Sequence, residues 1–268
     1  MKKLKLAFPF ALALALVLGV LGSGAFAAAP ETCAGGGISG SHGSVVVQGF
    51  CAVSGPLTIS GNLTLADGAV FVGFGPPVHV TGNVQVGKGA QLALGYNAGE
   101  GVLGPDVVDG NIVANQPLAL YVGNTTVHGN LVSNGGGTSQ RFYNFPIKDN
   151  SIDGNVVIHG WTGGWWGLIA NTVGGNVDVS NNKSVVQPAG ECEGTFPSGC
   201  EAAPGGDDDA AEVQSRGDNL QHVHGNLICH GNSPTVQINE GDGGAANVVD
   251  GRAIGECAAI RVIPPPSS

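Results

Sequence analysis

The segments Val127-His-Gly-Asn-Leu-Val-Ser133 and Ile152-Asp-Gly-Asn-Val-Val-Ile158 share one pattern: aliphatic, variable, Gly, Asn, aliphatic, variable, usually aliphatic. It recurs at Ile59-Ser-Gly-Asn-Leu-Thr-Leu65, Val80-Thr-Gly-Asn-Val-Gln-Val86, Val108-Asp-Gly-Asn-Ile-Val-Ala114, Val173-Gly-Gly-Asn-Val-Asp-Val179 and Val223-His-Gly-Asn-Leu-Ile-Cys229. Degenerate copies, Val47-Gln-Gly-Phe-Cys-Ala-Val53 and Val249-Asp-Gly-Arg-Ala-Ile-Gly255, flank the series as terminal repeats do. Positions one, five and seven share the parity of a strand and so predict an inward face. Position two (Ser60, Thr81, Asp109, His128, Asp153, Gly174, His224) is expected to face outward. Glycine at position three permits a bend or a close backbone approach, and asparagine at position four tolerates left-handed backbone and bonds locally. Each Gly-Asn pair therefore predicts a corner or a bulge within β structure.

Successive motif glycines are separated by 21, 28, 19, 25, 21 and 50 residues, one solenoid coil each with loops of varying size inserted. Hairpins are the competing arrangement, but two-residue hairpin turns favour Asn-Gly over Gly-Asn. The hexapeptide period of left-handed β-helices is missing. The expected fold is thus all-β, a right-handed parallel β-helix of about nine irregular rungs with loop insertions, with stacked asparagines forming an internal ladder.

This pattern resembles, at the level of architecture, secreted right-handed β-helix proteins of the pectate-lyase-like superfamily, over residues 44 to 257. The resemblance implies a fold. It implies no single activity, because that fold carries lyases, hydrolases, adhesins and structural proteins alike.

The chain begins with Lys2, Lys3 and Lys5, an apolar run from Leu6 to Leu21, and a small-residue exit at Ala25-Phe26-Ala27, the three parts of a secretory signal. Residues 1–27 are expected to be removed and 28–264 to form the solenoid, with an acidic, disulfide-containing insertion at about 187–219 and a tail at 265–268. No further apolar span follows, so no membrane span is expected in the mature chain. Losing three lysines leaves seven basic residues against twenty acidic ones, a net −13, which argues against a nucleic-acid partner. The secreted product is expected outside the cell or at its surface.

All six cysteines lie beyond the signal, and an even number in an oxidising compartment reads as disulfides. Fifteen pairings are open to six cysteines, and nearest neighbours are preferred on geometry. Cys33 and Cys51 are 18 residues apart and Cys229 and Cys257 are 28, each near one coil, and equivalent positions on adjacent rungs lie about 4.8 Å apart. Cys192 and Cys200 would close a small loop in the longest gap.

Four groups of residues invite chemistry. Asp207, Asp208 and Asp209 are candidate calcium ligands, against the alternative of a hydrated loop. His222 and His224, two apart on a strand with His230 at the same parity, are candidate zinc or copper ligands, against an ordinary polar face. Trp161, Trp165 and Trp166 sit in a glycine-rich segment where a loop would offer their rings to sugars, against a role in sealing the core. Asp109, His128 and Asp153 share one motif position and are expected to form an outward row in which His128 gains basicity. Gly206-Asp207-Asp208 invites comparison with polygalacturonases, but Gly-His-Gly and a following Arg-x-Lys are both lacking. The expected function is a non-catalytic extracellular surface for cell-wall, matrix or glycan binding without an obligatory cofactor. The alternative is a polysaccharide lyase or glycoside hydrolase acting on acidic polysaccharide.

Overall fold

A computed structural model describes residues 29–95, 106–138, 145–184, 192–195, 199–202, 211–216, 219–238 and 246–259. The expected signal at 1–27, the tail at 265–268 and Asp207, Asp208 and Asp209 lie outside the described residues.

Each coil starts with a short strand that ends on the first aliphatic residue of the motif, such as Thr125–Val127. The chain turns at Gly-Asn, and a second strand, Leu131–Asn134 in this coil, carries motif positions five and seven. A third strand completes the circuit. The second strands stack as a ten-stranded sheet running from Glu31–Cys33 and Val45–Val47 to Leu227–His230 and Ala253–Gly255; we call it the first wall. The remaining strands, apart from the separate pair Cys192–Thr195 and Gly199–Ala202, form a 16-stranded sheet that supplies two more walls. These are joined because Phe50–Ile59 is long enough to serve both: its start pairs with Val70–Gly73 and its end with Val78–Val80. The second wall holds the strands preceding each Gly-Asn. The third holds Gln91–Leu94, Ala119–Gly123, Phe145–Lys148, Trp166–Ile169 and Ala211–Gln214, among others.

Pairing between coils is parallel throughout both large sheets, for example Leu131↔Val156 and Val156↔Val177, so the chain is a solenoid and not a stack of hairpins. The first wall stacks ten strands, one more than the nine or so rungs expected, and its nine steps span about 43 Å at about 4.8 Å each. The alternation places its apolar set inside as read: Ile59, Leu63, Val127, Leu131, Val173 and Val177 are fully buried. One continuous core runs from Cys33 to Cys257, and each fully buried aliphatic side chain contributes about 1.5–3 kcal/mol relative to exposure.

The Gly-Asn corner works by close approach. A Cβ on Gly129 would lie 2.6 Å from both Asn111 Oδ1 and the Gly110 carbonyl oxygen, and Gly154 meets the same pair one coil on. The obstructing oxygen belongs to a ladder. Each asparagine side-chain oxygen accepts the backbone N–H of the asparagine one coil ahead: Asn83 to Asn62 at 2.8 Å, Asn111 to Asn83 at 2.8 Å, Asn130 to Asn111 at 2.9 Å. The series continues through Asn155, Asn176 and Asn226 to the Arg252 amide. Two expectations are corrected here. The ladder is at the surface, its members half-buried or exposed, because the corner turns outside the core. Its asparagines do not use left-handed backbone; among the described residues the non-glycine ones that do are Gln116, Asn124, Asp149, Ala170 and Asn181, at other corners.

One of those other corners carries an amide ladder that is buried. Asn150 accepts from the Thr125 amide, Asn171 Oδ1 accepts from both the backbone and side chain of Asn150, and Gln221 Oε1 does the same for Asn171. At a further corner Asn182, itself buried, accepts from the Trp161 amide and donates to half-buried Asn232, which donates to half-buried Glu256.

Disulfides join Cys33 to Cys51 and Cys229 to Cys257, with Cα atoms 6.0 and 5.3 Å apart. The pairing is the expected one, but the geometry differs from in-register neighbours: Cys33 is opposite Val47, and Cys229 is opposite Gly255. Each bridge instead crosses a corner, with both sulfurs turned into the core at an end of the solenoid. The side chains of Cys192 and Cys200 lie outside the described residues; their strands, Cys192–Thr195 and Gly199–Ala202, are antiparallel. Ala211–Gln214 falls within the expected insertion yet is a third-wall strand pairing with Trp166–Ile169, with Ala211 and Val213 in the core.

Candidate functional site

The outward side of the second wall is built from two residues per coil, one before the motif and one at its second position. Strand register stacks the first set as Thr58, His79, Val107, Thr126, Ser151, Thr172, His222 and Val248. The second set is stacked by backbone bonds, in which the position-two N–H donates to the position-one carbonyl of the preceding coil. Asp109 thus bonds Val80, His128 bonds Val108, Asp153 bonds Val127, His224 bonds Val173 and Asp250 bonds Val223.

Histidine and aspartate on neighbouring coils meet along these columns. His79 Nε2 lies 3.0 Å from Asp109 Oδ2, and His128 Nδ1 lies 2.8 Å from Asp153 Oδ2. A carboxylate only accepts, so each imidazole donates. The hydrogen bond to Asp153, with the charges of Asp153 and Asp109, holds the His128 pKa above its usual value. The expected Asp109, His128, Asp153 row is present, with His79 as an additional member.

At the C-terminal coils the pattern tightens. His222 Nε2 donates to Asp250 Oδ1 at 3.1 Å and His224 Nδ1 to Asp250 Oδ2 at 2.6 Å. The two rings lie 4.1 Å apart with a 45° tilt, and one donor atom from each of the three residues falls within 4.8 Å of the others. The bonds from His224 and His222 hold the Asp250 carboxyl below the usual carboxylate range. Sequence reading found both histidines but missed Asp250, although its place at the second position of the last degenerate repeat puts it one coil above His224. His230 is not part of the group, because it ends a first-wall strand.

The tryptophans are a correction. All three are buried, Trp161 and Trp166 completely and Trp165 with 5% exposure, so no open ring is offered to a sugar. The third wall is covered on both sides at this point: every residue of Trp166–Ile169 is buried. Trp161 packs edge-on against Phe145 at 5.0 Å and donates its indole N–H to the Gly164 carbonyl at 3.0 Å. Trp165 carries the Lys148 ammonium 4.7 Å above its ring.

Sequence reading also missed Asp106. It is 2% exposed, in the column occupied one and two coils on by Thr125 and Asn150. Its Oδ1 accepts the Val78 N–H at 2.9 Å, yet burial dominates and pushes its pKa up to about 7.

Comparison with protein-family models, with curated proteins and with solved structures gives no match for this chain.

Proposed function

We propose that this chain is a secreted, non-catalytic β-solenoid that binds a wall or matrix glycan along its second wall. The observation that carries the reading is the row of imidazole donors and carboxylate acceptors, His79–Asp109 and His128–Asp153, set on neighbouring coils of one exposed face. A polysaccharide offers hydroxyls to carboxylate acceptors and, where acidic, carboxylates to protonated imidazoles, and it repeats along its length as the coils do. Export is supported by the signal-like first 27 residues and by disulfides at both solenoid ends. Among the described residues, no helix is long and apolar enough to cross a membrane.

Co-sedimentation of the oxidised mature protein with insoluble wall polysaccharides, and its retention on acidic glycans, tests this directly. Binding is expected to weaken at least tenfold in the Asp109→Ser, His128→Ser, Asp153→Ser triple variant. Release of new reducing or unsaturated chain ends from those polymers would replace a binding role with the lyase or hydrolase alternative.

A further inference from the structure

The C-terminal coils carry an arrangement found nowhere else among the described residues: two imidazoles converging on one carboxylate. In the His79–Asp109 and His128–Asp153 pairs, one imidazole meets one carboxylate, and each such pair supplies only two donors. Here His222 and His224 leave the same strand end on the same side, while Asp250 is supplied by the next coil. We propose that His222, His224 and Asp250 form a binding site for a divalent first-row transition-metal ion, of which zinc is the representative.

The geometry is close to what such an ion needs. Zinc bonds of about 2.0–2.1 Å in a tetrahedral arrangement set ligand atoms about 3.3 Å apart. The nitrogen–oxygen separations are 3.1 and 2.6 Å, and the full set of three donors spans no more than 4.8 Å. Small side-chain rotations therefore suffice to admit the ion, and no backbone must move. The carboxylate's two bonds to imidazole N–H groups are given up when those nitrogens lose their protons and turn their lone pairs to the metal.

Donor chemistry selects the class of ion. Two imidazole nitrogens and one carboxylate oxygen suit zinc, copper or nickel, whereas calcium and magnesium require mostly oxygen ligands. Three protein ligands on an exposed wall leave at least one position for water or for a donor from a bound partner. Rigidity comes from the fold. The triad rides on Val223 and Val249, whose side chains are in the core, and the Cys229–Cys257 bridge ties the same terminal coils together. This assignment is independent of glycan binding by the row of pairs nearer the middle of the solenoid.

Isothermal titration of zinc chloride into the oxidised, chelator-treated mature protein tests it. One saturable site is expected, retained in excess calcium, weakened at least tenfold by Asp250→Asn and by His224→Ala, and unaffected by His128→Ala. Ring resonances of His222 and His224 in the unmutated protein should move together on zinc addition, a readout that needs no variant to fold. Absence of saturable zinc binding, displacement by calcium, or full retention in the His222→Ala, His224→Ala double variant would overturn the assignment.

Discussion

The molecule contains the same stacked-amide device in two settings, and the contrast separates what a hydrogen bond contributes from what its loss costs. At the Gly-Asn corner, asparagines from Asn62 to Asn226 stack at the surface. At the corner entering the second wall, Asn150, Asn171 and Gln221 stack with 3%, 0% and 0% exposure. Bond lengths are nearly equal, 2.9 Å for both Asn130 to Asn111 and Asn150 to Asn171. Water can replace a lost partner at the first corner and cannot reach the second, so the penalty for an orphaned group should differ severalfold.

The sharpest way to break the contrast is Asn171→Ala. It strands the Asn150 amide and the Ile147 carbonyl in the core and should cost about 3 kcal/mol, read from denaturant unfolding with both disulfides intact. Asp106 tests the same column by titration. Its folded pKa of about 7 stands above the ordinary 3.8, so the fold favours the protonated form, and this stability is fully present below the ordinary value and lost as pH rises through the folded one. Between pH 5 and pH 8 the loss should be about 2–3 kcal/mol, and Asp106→Asn should flatten that part of the profile.

At the exposed corner, Gly129→Ala should cost about 2 kcal/mol, because the new methyl meets backbone that can only move with the ladder. Asn130→Ala should cost about 1 kcal/mol, since water takes over the freed Asn155 amide. If Asn130→Ala instead matched Asn171→Ala in unfolding experiments, burial would not be what separates the two ladders. The smallest effect concerns protonation alone: in an NMR titration His128 should titrate above the ordinary histidine value in the parent protein, and Asp153→Asn should bring it back toward that value.

The exposed corner was legible in sequence because it repeats one dipeptide at one motif position, and repetition is visible without coordinates. The buried ladder was not, because its members change identity from coil to coil: Asp106, Thr125, Asn150, Asn171 and Gln221 share a column but no motif. The same limit applied to the sites. His222 and His224 were found as neighbours in sequence, whereas Asp250 joins them only by stacking one coil later. The tryptophans misled because a glycine-rich context reads as an open loop, while here glycine makes room for indole: a Cβ on Gly163 or Gly167 would collide with Trp161 or Trp165.

Sequence by itself determined the coil and its inward and outward faces, because strand periodicity and repeat spacing are local properties of a chain; among fifteen open pairings it only favoured the Cys33–Cys51 and Cys229–Cys257 bridges now seen. Tertiary structure decided which residues meet across coils. Loops of unequal length shift the residue-number separation from one coil to the next, so vertical neighbours such as Asn171 and Gln221, 50 residues apart, are set by stacking and not by spacing. Burial was decided there too, since the environment of Asp106 and of the three tryptophans depends on what the neighbouring coils place against them.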